Sequence, residues 1–195
     1  MIPHRINAKL FVTDETAVSL TDIIPVFHRW IQTQAVEGLL IDVADYKHVE
    51  DGPGILIIGH EGDYALDQEN GRSGLLYTRK REWPTPDFKD RLRLVIGLAV
   101  QATQILANEE SLSLEFRTDE LGLIFPDRLN APNTPETLAA LQDDITAVLA
   151  EIYGSDGITL TATSNDVKRP FAVQGTIPNA PALADLSVNQ VELAA

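Results

Sequence analysis

The sequence contains no cysteine. This absence excludes disulfide bonds, zinc–thiolate sites, iron–sulfur clusters and cysteine nucleophiles, because each of them needs a thiol. The chain has 195 residues, a length at which a domain buries roughly 70% of the surface that its unfolded chain exposes. We therefore expect a fold of ordinary size that needs no covalent or metal cross-link for its stability.

The sequence also lacks a long apolar run. Its longest strictly apolar stretch, with glycine counted, covers residues 94–100, whereas a membrane-spanning helix needs about 20 residues. The amino-terminal residues lack the apolar core of a signal peptide. We therefore expect no membrane association and a cytoplasmic location.

Basic residues are scarce and unevenly distributed. Lysine and arginine number 15 against 29 aspartates and glutamates, which gives a net charge of -14. Such a field repels phosphate, so we expect neither nucleic acid nor an anionic lipid surface as a partner. Residues 72–93, however, hold seven basic and three acidic side chains, a local charge of +4. This basic segment is the strongest irregularity in the composition.

Two pairs of alternating segments predict β-hairpins. The first pair covers residues 64–67 and 75–78, and the Asn-Gly dipeptide between them is a strong turn signal. The second pair covers residues 112–116 and 121–125. These hairpins indicate that at least part of the sheet is antiparallel.

Helical periodicities lie between the strand patterns. A helix over residues 87–108 is apolar on almost every side, so we expect it to be buried at the centre of the domain or in a subunit interface. A later helix begins at Thr134, has Pro135 in its first turn and ends at Gly154. We predict homo-oligomerisation through the 87–108 helix.

The order of these elements indicates an α+β fold, because consecutive strands are mixed with helices. We predict a single α+β domain over residues 1–177, with a mixed or mostly antiparallel sheet and about three helices. Residues 178–195 carry two charged side chains and are rich in proline and alanine. They fit either a frayed tail or an arm that docks on this subunit or on a neighbour.

The densest chemistry follows the apolar run at residues 55–58. This run shows no alternation, which predicts a central strand covered on both faces. Glycines precede it, whereas phosphate loops place glycines between a strand and a helix, so we interpret them as a turn. His60, Glu61 and Asp63 come directly after the run, and a histidine with carboxylates can transfer protons near neutral pH. These three residues are the candidate catalytic residues.

The same segment supplies a candidate metal set of His48, His60 and Asp63. Imidazole nitrogens and carboxylate oxygens are suitable ligands for a divalent ion. None of the spacings is diagnostic of a known metal motif. The alternative is that His60 forms hydrogen bonds at the strand edge while the acids are solvated.

The basic segment supplies the candidate ligand-binding residues. Aromatic side chains lie between its charges, and basic groups beside aromatic rings are typical of nucleotide and anion sites. The alternative is a strand edge protected by charge, or salt bridges to the acidic surface of the protein itself. The candidates are Tyr64, Arg72, Arg79, Lys80 and Arg81.

Two functions follow from these patterns. The first is a non-catalytic binding, regulatory or assembly protein that acts as a homo-oligomer and binds a small anionic ligand. The second is a small enzyme that uses His60 with Glu61 or Asp63 for acid–base or metal-assisted chemistry on an anionic substrate. The sequence names no cofactor and does not decide whether the protein is an enzyme.

Overall fold

The computed structural model describes residues 2–186, which form one eight-stranded antiparallel sheet and three α-helices. The α+β prediction is therefore confirmed. The helices are α1 (Leu20–Thr33), α2 (Phe88–Ala107) and α3 (Pro135–Tyr153). The strands are β1 (Asn7–Phe11), β2 (Leu40–Asp45), β3 (Ile55–Gly59), β4 (Gly62–Asp67), β5 (Gly74–Arg79), β6 (Glu120–Phe125), β7 (Thr159–Ala162) and β8 (Phe171–Thr176).

The strand order in the sheet is β2-β3-β4-β5-β1-β6-β8-β7. The first strand of the chain thus lies inside the sheet, between β5 and β6. The helices pack against one face, with α1 on β2 and β3, α2 on β1 and β5, and α3 on β7. Because side chains alternate between the two faces of a strand, every second residue points away from the helices.

The β4–β5 hairpin was predicted correctly. Residues of β4 pair antiparallel with residues of β5 from Gly62↔Arg79 to Asp67↔Gly74. Asn70 and Gly71 both adopt left-handed conformations in the connection, with φ of 59° and 67°. Asparagine and glycine tolerate this conformation better than other residues, which is why the local signal was reliable.

The second predicted hairpin was wrong. Residues 112–116 form no strand, and only Phe116 pairs with the sheet, in an isolated bridge to Val12. The backbone N–H of Arg117 donates to the carbonyl of Phe11 at 2.8 Å. The chain therefore crosses the end of β1 before it enters β6, and β6 pairs with β1 and β8 instead.

The prediction for β3 was also wrong in one respect. This strand lies beside the edge strand β2, and its burial alternates along the chain. Ile55 and Ile57 are buried beneath the helices, whereas Leu56 and Ile58 are half-buried on the opposite face. A continuous apolar run therefore reflects one buried face and one partly covered face here, rather than two buried faces.

Helix α2 is covered by the chain itself. Of its 20 residues, 13 are buried, and only Asp90 and Gln101 are exposed. It packs on β1, β5 and α3, and the side-chain amide of Gln104 donates to the carbonyl of Leu183 at 2.7 Å. Burial at the centre of the domain explains its apolar pattern, and self-association through residues 87–108 stays a prediction.

The segment after β8 returns to α2. A short 3-10 helix covers Leu183–Asp185, and the side chain of Leu186 is buried. The remainder of the predicted arm or tail, residues 187–195, lies outside the described residues. Within residues 2–186, no helix is both long enough and apolar enough to cross a membrane.

The intramolecular burial of α2 makes a testable prediction for Leu98, which is 3% exposed. We expect Leu98→Ala to lower the free energy of unfolding by about 2–5 kcal/mol, through lost apolar contacts and the cavity left behind. Because the contacts lie within one chain, urea denaturation should give the same loss at every protein concentration. Gln101→Ala, on the exposed side of α2, is the control and should change little. A loss confined to high protein concentration would contradict this account.

Candidate functional site

A cavity of about 650 Å³ lies against the sheet face that the helices leave uncovered, which we call the open face. Side chains of β1, β5, β6 and β8 form its floor, and residues of β7 and the β7–β8 connection form one wall. The apolar part of its lining includes Phe11, Leu76, Ile124, Pro170 and Ala172.

A buried ion pair joins Lys9 to Asp67 in the floor of this cavity. Their side chains are 6% and 5% exposed, and the Lys9 ammonium donates to a carboxylate oxygen of Asp67. The two residues lie on β1 and β4, so the lysine side chain must cross the intervening strand β5. It crosses at Gly74, where a Cβ atom would lie 3.1 Å from Cε of Lys9 and 2.3 Å from the carbonyl oxygen of Leu10. Glycine at this position therefore makes the pair sterically accessible.

Phe11 and Arg72 form a stack beside that ion pair. The Phe11 ring lies over Gly122 of β6, where a Cβ atom would approach the ring to 3.2 Å. The guanidinium carbon of Arg72 lies 3.9 Å from the centroid of the Phe11 ring. A guanidinium at this distance is attracted by the aromatic face, so the ring orients the arginine.

A hydrogen-bonded network around Glu120 holds the other side of Arg72. The Glu120 side chain is 7% exposed and pairs with both Arg72 and Arg117, the latter at 3.2 Å. Gln174 donates to Glu120 and accepts from Nη1 of Arg72 at 3.3 Å. The Arg72 side chain nevertheless remains 40% exposed, so part of this oriented cation faces the cavity.

The charge of the cavity lining differs from that of the whole protein. Three basic side chains line it, those of Lys9, Arg72 and Arg169, against two acidic ones, Asp67 and Glu69. With Glu120, which pairs with Arg72 just outside the lining, the charges balance, while the complete chain carries -14. The cavity therefore repels an anion less than the rest of the surface does.

The structure places His60, Glu61 and Asp63 at the end of the β3–β4 hairpin. His60 is exposed, and its Nδ1 lies 3.5 Å from Nη2 of Arg81. Glu61 accepts a hydrogen bond from the backbone N–H of Leu39 at 2.9 Å, and this bond holds the pKa of Glu61 below its usual value. The three predicted site residues thus lie together at the end of the hairpin. The Glu61 carboxylate, however, is occupied by its hydrogen bond to the backbone of Leu39, directly before β2.

Asp63 is likewise engaged with its neighbours. Its carboxylate accepts from the backbone N–H of Gly59 at 3.0 Å and pairs with the Lys80 ammonium at 2.7 Å. The end of the hairpin and the basic segment are therefore in contact, through the salt bridge between Asp63 and Lys80. None of His60, Glu61 or Asp63 lines the 650 Å³ cavity, nor a second cavity of about 360 Å³.

The candidate metal set does not assemble around a common point. The ring of His48 stacks with Tyr46 at a centroid distance of 6.5 Å, on the connection between β2 and β3. Across residues 2–186, no three histidine, aspartate or glutamate side chains gather closely enough to hold a metal ion.

Tyr64 and Arg79 point toward the helices rather than the cavity. Tyr64 is buried against Tyr77, and its hydroxyl donates to the carbonyl of Glu37 at 2.9 Å. Burial, reinforced by Tyr77, raises the pKa of Tyr64 well above its ordinary value. Arg79 is buried on the same side of the sheet. Of the five predicted ligand-binding residues, Arg72 is the one that lines the 650 Å³ cavity.

Several cavity residues were not singled out from the sequence. Lys9 and Asp67 are charged residues inside segments that otherwise read as apolar strands, and such positions are a recognisable signal. Gly122 and Gln174 carry no comparable signal. Their importance arises from the pairing of β6 with β1 and β8, which joins residues far apart in the chain.

No protein-family model matches this sequence, and no curated protein matches it at a significant level. Fold-level analogy is a weak guide to function even where it exists. The chemistry of the cavity therefore has to be inferred from its side chains.

The buried ion pair makes a prediction about stability. We expect Lys9→Met to lower the free energy of unfolding by about 3–5 kcal/mol, because it leaves the Asp67 carboxylate buried without its partner. The double variant Lys9→Met/Asp67→Leu should recover most of that loss, since no unpaired charge remains. Urea denaturation of the two single variants and the double variant measures the coupling. Additive losses would show that the two side chains do not interact.

The lowered pKa of Glu61 makes a prediction about pH. Its bond to Leu39 favours the ionised carboxylate in the folded state, so the bond contributes stability above the ordinary pKa of 4.5. This contribution is lost as the pH falls through the lowered value. We expect Glu61→Gln to lose stability less steeply than the unmodified protein below about pH 5.

The matched control is Glu110→Gln, because Glu110 is exposed and its side chain has no partner among residues 2–186. The measurement is urea denaturation from neutral to acidic pH. If Glu61→Gln and the unmodified protein lose stability equally as the pH falls, the pH dependence does not come from the bond between Glu61 and Leu39.

Proposed function

We propose that this protein is a non-catalytic binding protein that holds a small organic anion in the cavity on its open face. The observation that carries the proposal is the Arg72 guanidinium, which the Phe11 ring and Glu120 orient toward a concave and partly apolar surface. The proposal concerns residues 2–186 and does not depend on self-association.

The size and lining of the cavity support a small-molecule ligand. Ligand sites commonly have volumes of about 300–1,000 Å³ and combine apolar walls with a few fixed polar groups. The volume of about 650 Å³ lies in this range. Leu76, Ile124 and Ala172 offer apolar contacts to the body of a ligand, while hydroxyls of Thr161 and Thr163 line the wall.

The arrangement of Arg72 supports a negative group on that ligand. A guanidinium carries five N–H donors in a fixed plane, and Glu120 and Gln174 use only part of them. Orienting a side chain before binding reduces the entropy lost when the ligand arrives. Arg72 therefore suits a carboxylate, sulfonate or phosphate group at the edge of the cavity.

The pairing of ionisable groups favours binding over catalysis. Lys9 and Asp67 form a buried pair with each other. At the hairpin end, Glu61 and Asp63 accept hydrogen bonds from backbone N–H groups. Acid–base chemistry requires a group that can reach a substrate proton, and the binding function needs no such group.

The proposal predicts that anilinonaphthalene sulfonate binds the folded protein at one site, with a rise in fluorescence. Its uncharged parent, N-phenylnaphthylamine, has the same rings without the sulfonate and should bind about tenfold more weakly, since a hydrogen bond to a charged group contributes about 1.5 kcal/mol or more. In Arg72→Met the two dyes should bind with similar affinity. Equal binding of both dyes to the unmodified protein would contradict the role of Arg72.

A matched pair of variants on β7 tests the location. Thr161 lines the cavity and is exposed, so Thr161→Trp should fill part of the cavity and abolish binding without unfolding the protein. Thr159 is exposed on the same strand but does not line the cavity, so Thr159→Trp is the control. Equal dye binding in the two variants would place the site elsewhere.

A further inference from the structure

A second basic site lies on the opposite side of the sheet, at the end of β5. Arg79 is 6% exposed, and its Nη2 donates to the carbonyl of Glu82 at 2.9 Å. The remaining nitrogens, Nε and Nη1, are buried and have no hydrogen-bond partner within residues 2–186. Three N–H groups of one cation are therefore shielded from water, and the nearby Tyr77 hydroxyl, although it interacts with Arg79, accepts no hydrogen bond of normal geometry from them.

Arg91, one turn into α2, adds a second buried cation. It is 8% exposed and donates only to backbone carbonyls, those of Thr85 at 3.1 Å and Pro3 at 3.3 Å. The guanidinium carbons of Arg79 and Arg91 lie 5.9 and 5.5 Å from the centroid of the Trp83 ring. The ring itself is anchored, because its N–H donates to the carbonyl of His4 at 2.9 Å.

Glu82, Asp87 and Asp90 lie close in the chain to this cluster of Arg79, Trp83 and Arg91, but none of their carboxylates is within salt-bridge distance of either arginine. Among the described residues, neither arginine forms a salt bridge, whereas Arg72, Arg93 and Arg117 all do. The other arginines without a salt bridge among the described residues are exposed, so Arg79 and Arg91 differ from them in being buried. The charge of Arg79 acts on Glu61, but the Glu61 carboxylate accepts a hydrogen bond from the backbone of Leu39.

The energetic consequence is large for a protein of ordinary stability. A buried charge that lacks its partner strongly destabilises the folded state, and unsatisfied N–H groups add to that cost. Two positive charges within reach of one indole also repel each other. An anion with several acceptor oxygens would relieve both effects at once.

We propose that the cluster of Arg79, Trp83 and Arg91 binds an oxyanion, that is, a sulfate, a phosphate or the carboxylate of a small molecule. The oxygens accept the free N–H groups of Arg79, and the charge of the anion compensates both guanidiniums. The Trp83 ring holds the two cations in place and shields the site from water.

The surroundings of the cluster fit entry of an anion. Residues 80–87 connect β5 to α2 without a helix or a strand, and they cover Arg79. In this connection Lys80 pairs with Asp63, and Glu82 and Asp87 carry negative charge. Arg81 and Arg5 are exposed and form no salt bridge among the described residues, so they are the charges that attract an anion, which reaches Arg79 only when the connection moves.

This site is distinct from the cavity on the open face. Within β5, Leu76 lines that cavity, whereas Tyr77 and Arg79 point to the helices. The two sites therefore lie on opposite faces of the sheet and depend on different arginines. Arg72 and Arg79 can be substituted separately to distinguish them.

The test is thermal unfolding in sodium sulfate or sodium phosphate, compared with sodium chloride at the same ionic strength. A ligand that binds only the folded state raises the unfolding temperature in a saturable way. We expect saturable stabilisation of the unmodified protein by sulfate and phosphate. Arg79→Met should abolish it, and Arg91→Met should weaken the apparent affinity about tenfold. Arg128→Met, which removes an exposed arginine outside both sites, should retain it in full.

Circular dichroism in chloride establishes that each variant is folded before the comparison. Should Arg79→Met fail to fold, Arg79→Lys keeps the charge but loses the planar set of donors, and we expect at least a tenfold weaker response to sulfate. Equal unfolding temperatures in sulfate and chloride for the unmodified protein would overturn the proposal. So would saturable stabilisation that persists in folded Arg79→Met or is unchanged in Arg79→Lys, whereas the non-saturating effect of sulfate as a salt is expected in every variant.

Discussion

The packing of three helices against a single face of an eight-stranded sheet is the constraint on which the structure depends. In an antiparallel sheet, successive side chains point to opposite faces, so covering one face leaves every second residue of each strand on the other. The covered face is filled by apolar side chains such as Leu10, Leu75 and Leu121, which are all fully buried. Within residues 2–186 no helix covers the open face, and its composition is correspondingly mixed.

Several polar groups on the open face are paired with one another. Lys9 reaches Asp67 across Gly74, and Glu120 gathers Arg72, Arg117 and Gln174. Each of these networks crosses between strands that are not adjacent in the sequence. They orient side chains around a concave surface, and this orientation is what makes a binding function the simplest account of the open face. On the covered face, Arg79 has N–H groups that no described residue accepts, and on the open face the amide oxygen of Asn7 likewise has no partner among residues 2–186.

Local signals allowed correct predictions where the chain itself determines the conformation. The Asn70–Gly71 turn placed the β4–β5 hairpin, and Pro135 and Gly154 placed the two ends of α3, where Gly154 has φ of 59°. The position of β1 between β5 and β6 could not be predicted, because strand pairing over long separations leaves no local pattern.

The candidate site likewise combines features that local sequence predicts with features that depend on tertiary structure. The concentration of His60, Glu61 and Asp63 drew attention to the β3–β4 hairpin, yet the bonds of Glu61 and Asp63 to backbone N–H groups depend on tertiary structure. The charge of Arg72 predicted a ligand-binding role, and in the structure this residue lines the cavity on the open face. Glycine is required at positions 74 and 122 because the side chains of Lys9 and Phe11, both on β1, pass directly over these positions.

The central claim, that the open face is the binding surface, is tested most directly by methyl NMR spectra recorded during titration with anilinonaphthalene sulfonate. Adjacent residues on opposite faces provide an internal comparison. The account predicts shifts for the methyl groups of Leu76 and Ile124, which line the cavity, and little change for Leu75 and Leu121 beneath the helices. Shifts confined to Leu75 and Leu121, or spread equally over both faces, would contradict it.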